Sequence, residues 1–179
     1  MCLKRLAFLP LMVEGQVVRG FGRGSKELGI PTANFTDEVV KKLPLEMENG
    51  VYFGLASVDA GAVDRMVLSV GWNPQFHNQL KTMETHILRD FSRDFYGSTL
   101  RVAVLGYIRP MTSFTSLDEL IAAIKDDIRK ANDELDKPEY AKYCSQDFFT
   151  RPLDSAAKEN LPSKEGISDI SNNSQEFRS

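Results

Sequence analysis

Residues 100–108 read LRVAVLGYI, the clearest extended run in the chain. Its β-branched and large apolar residues suit a pleated, buried surface. Upstream, Val51–Val58, Met66–Val70 and Met83–Leu88 share this character. Asn49-Gly50 is a strong turn signal, Asp59–Asp64 is a polar hairpin loop containing Gly61, and Asn73-Pro74 opens a loop running through Lys81. Short strands at this spacing predict an antiparallel barrel or sandwich. Downstream, Leu117 to Leu135 predicts the one long helix. Ser116 and Glu119 fit the capping box Ser-x-x-Glu. Leu117, Leu120, Ile121, Ile124, Ile128, Ala131 and Leu135 recur at helical spacing and form a stripe that packs on the strands. Pro138 stops this helix, Glu139–Tyr143 adds a turn, and Phe148 and Phe149 are the last large apolar anchors. The chain divides into a lead over 1–10, a domain over 11–153 and a polar tail over 154–179 that reads as disordered.

The 179 residues carry 22 basic and 25 acidic side chains, a formal charge of −3, and a hydrophobic share of 42%. No global field draws nucleic acid or an anionic membrane, so local cations must bind any phosphate. Two cysteines cannot build a disulfide framework, which fits a reducing compartment. Met1–Val13 places Lys4 and Arg5 before an apolar run, yet it is short for a signal peptide and lacks a small-residue cleavage site. It reads as a lead into the first strand, and a cytoplasmic location is expected. No apolar stretch approaches a membrane span.

The second informative stretch is Gly20–Phe35, GFGRGSKELGIPTANF. Val17 and Val18 lead into it as the end of an extended run. Gly20, Gly22, Gly24 and Gly29 allow close backbone approach to a ligand, as a phosphate-cradling loop requires. Arg19, Arg23 and Lys26 add cations. The order Gly24-Ser25-Lys26 is not a Walker A loop, and Pro31 forbids the helix that a dinucleotide fingerprint needs. Thr32 and Asn34, two apart on an extended segment, share a face. Two neutral oxygens make a magnesium site only when phosphates supply the negative charge. On composition alone, an ordinary glycine-rich hairpin loop before an edge strand fits equally well. Thr36–Leu43 then predicts one or two helical turns, with Thr36 as a cap.

The wording of these segments is more specific than their composition. Gly15-Gln16-Val17-Val18-Arg19-Gly20, Gly24-Ser25-Lys26, Pro31-Thr32-Ala33-Asn34 and Gly50-Val51-Tyr52-Phe53-Gly54 occur in the order found in the riboflavin kinases. So do Ser69-Val70-Gly71-Trp72-Asn73-Pro74, Glu84-Thr85-His86, Asp94-Phe95-Tyr96-Gly97 and Gly106-Tyr107-Ile108-Arg109-Pro110. The chain resembles this family, of the monofunctional eukaryotic type, over most of residues 11–150. The resemblance implies a small closed six-stranded antiparallel Greek-key barrel with one long C-terminal helix packed on it and short peripheral helices. It also implies transfer of the γ-phosphoryl group of ATP to the 5′-hydroxyl of riboflavin, giving FMN and ADP.

Carried onto these residues, the family pattern makes Glu84 the general base. Thr32 and Asn34 become ligands of Mg2+, or another divalent ion, beside the ATP phosphates. Arg19, Gly20, Gly22, Gly24, Ser25 and Lys26 wrap those phosphates together with Thr32 and Asn34. Arg109 and Phe114, in the segment between the last long strand and the helix, meet the isoalloxazine ring, and Asp118 meets the ribityl chain. His86 shares a strand face with Glu84 and is the rival base. His77 lines the nucleotide site or is simply exposed. Trp72 reads as core, with stacking on a ring as the alternative, and Asp94–Gly97 reads as structural support. Neither histidine stands in a His-x-Gly-His pattern, so FAD synthesis is not expected. The expected partners are the substrates ATP and riboflavin, with no nucleic acid and no membrane, on a monomer. The competing class is a non-catalytic barrel that binds flavin, nucleotide or single-stranded nucleic acid. No basic run interleaved with aromatics supports the last of these.

Overall fold

The computed structural model describes residues 6–20, 28–72 and 81–152. Six strands build the domain: β1 (Leu11–Val18), β2 (Ala33–Phe35), β3 (Gly50–Val58), β4 (Val63–Trp72), β5 (Lys81–Ile87) and β6 (Thr99–Pro110). Helix α1 (Asp37–Val40) follows β2, and α2 (Leu117–Leu135), α3 (Pro138–Ala141) and α4 (Asp147–Thr150) follow β6. The strands close into a barrel in the order β1-β2-β5-β4-β3-β6, every pairing antiparallel. Within it β3, β4 and β5 run as a meander, and β6 returns beside β3, the Greek-key order. A closed barrel, rather than a sandwich, leaves no strand edge unpaired.

Two apolar shells explain the sequence pattern. Val13, Val17, Tyr52, Met66, Leu68, Met83, Val102 and Val104 fill the barrel interior. Val51, Phe53, Leu55, Ala103 and Leu105 point outward and are covered by Ala131, Leu135 and Phe149 of the helices. β3 and β6 are therefore buried on both faces, and such strands read as continuous apolar runs rather than alternating ones. β5 is different. Met83, Thr85 and Ile87 are buried while Thr82, Glu84 and His86 are only half-buried, the signature of one packed face and one open face. That open face is where the polar residues of interest lie.

Local chemistry sets the element ends. The β3–β4 turn is shorter than the loop expected over Asp59–Asp64, since β4 begins at Val63. Asp59 and Ala60 adopt φ of 51° and 55°, and Gly61 N–H donates to the Val58 carbonyl at 2.9 Å. Positive φ at both central residues matches the right-handed twist of the flanking strands. Pairing with β3 skips Leu105 and Ile108 of β6. These two bulges bend the strand around the barrel. Gly106, between them, lies against Phe53, whose ring would stand 2.1 Å from any added Cβ.

Helix α2 has the expected bounds, and the Ser116 Oγ accepts from Glu119 N–H. The capping box is displaced by one residue on its return leg: the Glu119 carboxylate accepts from the N–H and hydroxyl of Thr115. At α1, Thr36 holds the cap position without a side-chain cap bond. The stripe of α2 is packed only in its second half. Ile128, Ala131 and Leu135 join the outer shell, whereas Leu117 is 62% exposed and Leu120, Ile121 and Ile124 are half-buried outside it. No helix among the described residues is long and apolar enough to cross a membrane.

The segment at the end of α4 is tied to the barrel through Arg101. Arg101 on β6 is 1% exposed and its Nε bonds Glu14, the residue directly opposite on β1, at 2.5 Å. Its remaining nitrogens donate to the carbonyls of Phe149, Arg151 and Pro152. Arg151 Nη2 reaches the same Glu14 oxygen at 2.9 Å. Burial pushes the Glu14 carboxyl up, but hydrogen bonds from Arg151 and Arg101 and their charges outweigh it and leave it below the ordinary glutamate value.

Candidate active site

Backbone register gathers the candidate residues onto one belt. Val18 pairs with Asn34, Asn34 with Glu84, Glu84 with Ser69, Ser69 with Val51, and Val51 with Arg109. Cross-strand partners share a face, so Asn34, Glu84 and Ser69 line the open outer surface and Arg109 continues it around the barrel. Thr32 precedes Asn34 by two residues. Its hydroxyl donates to the Glu84 carboxylate at 3.4 Å.

Asn34 is nearly buried, at 9% exposure, and Gly20 lies flush against it. A Cβ at residue 20 would stand 2.4 Å from the Asn34 amide nitrogen. Any larger residue there would have to displace the Asn34 side chain. Arg19, Gly20, Asn34, Thr36, Glu38 and Lys81 border a cleft of about 270 Å³ beside this contact. The Arg19 guanidinium lies 5.6 Å from the centre of the Tyr96 ring. The turn carrying Tyr96 is pinned to β1, with Gly97 N–H donating to the Val17 carbonyl and Val17 N–H to that of Ser98.

His86 Nδ1 sits 2.8 Å from the Pro31 carbonyl oxygen. A carbonyl only accepts, so this nitrogen carries the proton and the imidazole steadies the backbone that presents Thr32. Arg109 lies within β6, not in the loop after it. Its Nε and Nη2 grip Asp127 of α2 at 2.8–3.1 Å, and Phe114 of the following loop lies 5.6 Å from its guanidinium. Asp118 is exposed in the first turn of α2. Trp72, expected in the core, is 46% exposed, because it ends β4 at the barrel rim, where the Lys81 ammonium lies 5.3 Å from its ring. Gly22, Gly24, Ser25, Lys26, Arg23, His77 and the tail from residue 153 lie outside the described residues.

Two residues near these groups were missed from sequence. Tyr96 stands in the Asp94–Gly97 block of the resemblance but reads as structural support. Asp127 left one: it is the single acid at a stripe position of α2, three residues after Ile124 and four before Ala131.

Comparison with known proteins accords with this geometry. A family model described as Flavokinase: Riboflavin kinase matches residues 7–135. The riboflavin kinase of Mus musculus is 55% identical over 141 residues, covering 79% of this chain and 91% of the relative. That of Homo sapiens is 54% identical over the same length and coverage. The crystal structure of riboflavin kinase from Trypanosoma brucei superposes with a TM-score of 0.65 at 30% identity, covering 80% of this chain and 91% of that one. With barrel topology, motif order and these similarities in agreement, the chain belongs to the riboflavin kinase family.

Proposed function

We propose that this protein transfers the γ-phosphoryl group of ATP to the 5′-hydroxyl of riboflavin, forming FMN and ADP, with Glu84 as general base. The observation that carries this reading is the placement of the Glu84 carboxylate 3.4 Å from the Thr32 hydroxyl and directly across the β2–β5 ladder from Asn34. A base must lie where the phosphates are held. The substrate hydroxyl bonds to Glu84 and attacks the γ-phosphorus as its proton passes to the carboxylate. The bond from that phosphorus to the β–γ bridging oxygen breaks, and ADP leaves with the electron pair.

The Thr32 hydroxyl and Asn34 carboxamide are hard oxygen donors on one face, and they fit a magnesium ion that shares its shell with phosphates. Among the described residues no group of three His, Cys, Asp or Glu side chains would hold a metal unaided, which agrees with a site completed by nucleotide. When bound, the ion neutralises charge on the transferring phosphoryl group. Arg19 and Gly20 border the phosphate side of the cleft.

The flavin requires an apolar slot with few polar anchors. Trp72 at 46%, Met111 at 51% and Leu117 at 62% exposure, with the half-packed start of α2, supply apolar surface, and Arg109 and Phe114 supply a flat contact beside it. The expected result is FMN from riboflavin, ATP and magnesium, and 10²- to 10⁴-fold slower turnover, on the order of a lost general base, in folded Glu84→Gln. Full turnover in that variant would move the base elsewhere. No FMN from the intact folded protein would overturn the kinase reading.

A further inference from the structure

The apolar stripe of α2 contains one acid, Asp127, at 2% exposure. A carboxylate so buried needs a cationic partner, and Arg109 alone supplies the three hydrogen bonds recorded to it. The Nε and Nη2 edge, the fork with which arginine grips phosphates and carboxylates, is thereby occupied. Nη1 is turned to the Pro110 carbonyl at 3.1 Å. The Phe114 ring lies 5.6 Å from the guanidinium, so what remains for a ligand is the rest of its face and the rim of Nη1, on a side chain still 21% exposed. The pair as a whole is neutral and its plane is set by the helix.

A cation so engaged is poorly suited to an anion and well suited to a planar uncharged ring, on which guanidinium stacks. We propose that Asp127 is a positioning and specificity-determining residue for riboflavin: by holding the fork of Arg109 it presents the guanidinium face to the uncharged flavin ring and denies that fork to phosphate. The proposal rests on the reading of Arg109 as a flavin contact, and its test separates the two.

The experiment titrates the full chain with riboflavin, followed by flavin fluorescence, and separately with MgATP, followed by calorimetry, for Arg109→Ala, Asp127→Asn and Asp127→Glu. Each Asp127 variant should bind riboflavin about tenfold more weakly, the scale of one lost charged hydrogen bond, while MgATP affinity stays within about twofold. In Asp127→Asn the freed fork should also let inorganic tripolyphosphate compete with riboflavin, which it does not do in the parent. Asp127→Glu retains the buried charge and serves if the asparagine variant does not fold. Unchanged riboflavin affinity in Asp127→Glu, or parallel loss of both affinities, would show a purely structural pair and overturn the proposal. If Arg109→Ala binds riboflavin as tightly as the parent, the underlying assignment of Arg109 fails first.

Discussion

Strand β6 carries an arginine near each end, and both are paired to a carboxylate on a neighbouring element. Arg101 is enclosed: Glu14, Arg151 and three backbone carbonyls surround it, and its side chain is 2% exposed. Arg109 is gripped by one buried acid, and its side chain stays 21% exposed, with the Phe114 ring 5.6 Å from its guanidinium. The same residue type on the same strand thus does two different things. An arginine whose nitrogens are bonded to protein and shut off from solvent is a bolt. One held by a single acid and still part-exposed keeps donor surface open to solvent.

The comparison breaks most easily at the closed end. Arg101→Ala should cost about 3–5 kcal/mol of stability, as breaking a buried pair does, and it also strands the buried Phe149 carbonyl. Urea denaturation measures this loss, and riboflavin affinity of the protein that remains folded should not change. A weakened riboflavin complex would erase the distinction between the two arginines.

A smaller effect sharpens it through pH. Because the folded protein holds the Glu14 carboxyl below the ordinary value of 4.5, its contribution to stability is fully present above that value. It is lost as pH falls through the depressed folded value. The stability difference between the parent and Glu14→Gln should therefore be constant at neutral pH and shrink in acid. Chemical denaturation across pH 3–7 would show this, and a difference independent of pH would place the seam's strength in packing rather than charge.

The smallest expected effect lies just beyond the bolt. Removing residues 155–179 should leave turnover and melting temperature as they were, since the last recorded bond of Arg101 ends at Pro152. A large loss of activity in the shortened chain would give the tail a role.

The pattern of success in reading the sequence follows from which faces are covered. LRVAVLGYI announces a strand because β6 is packed on both sides, yet the same double burial removes the alternation that would separate a barrel from a sandwich. The family resemblance, not periodicity, supplied that distinction. Helix α2 was legible to the residue because Ser116 and the stripe agree. Its half-packed start was not, since a stripe shows which side is apolar and not what covers it. Thr32, Asn34 and Glu84 were singled out through motif wording, and register explains why residues 50 positions apart meet. Trp72 was misplaced because a lone tryptophan at a strand end carries no signal of its depth. Asp127 was overlooked because the stripe was read for its apolar members alone, although an acid within it asks for a buried partner.

Strand β2 is three residues long and contributes two register pairs to β1 and two to β5, against eight between β3 and β4. The barrel is thus closed at its thinnest stave, and Asn34 stands in both of its ladders. Cooperative opening of a structure begins where the fewest bonds must be given up. A ligand bridging Asn34 and Glu84 would act as a staple across that seam, so that occupancy of the site and integrity of the ring become one equilibrium rather than two.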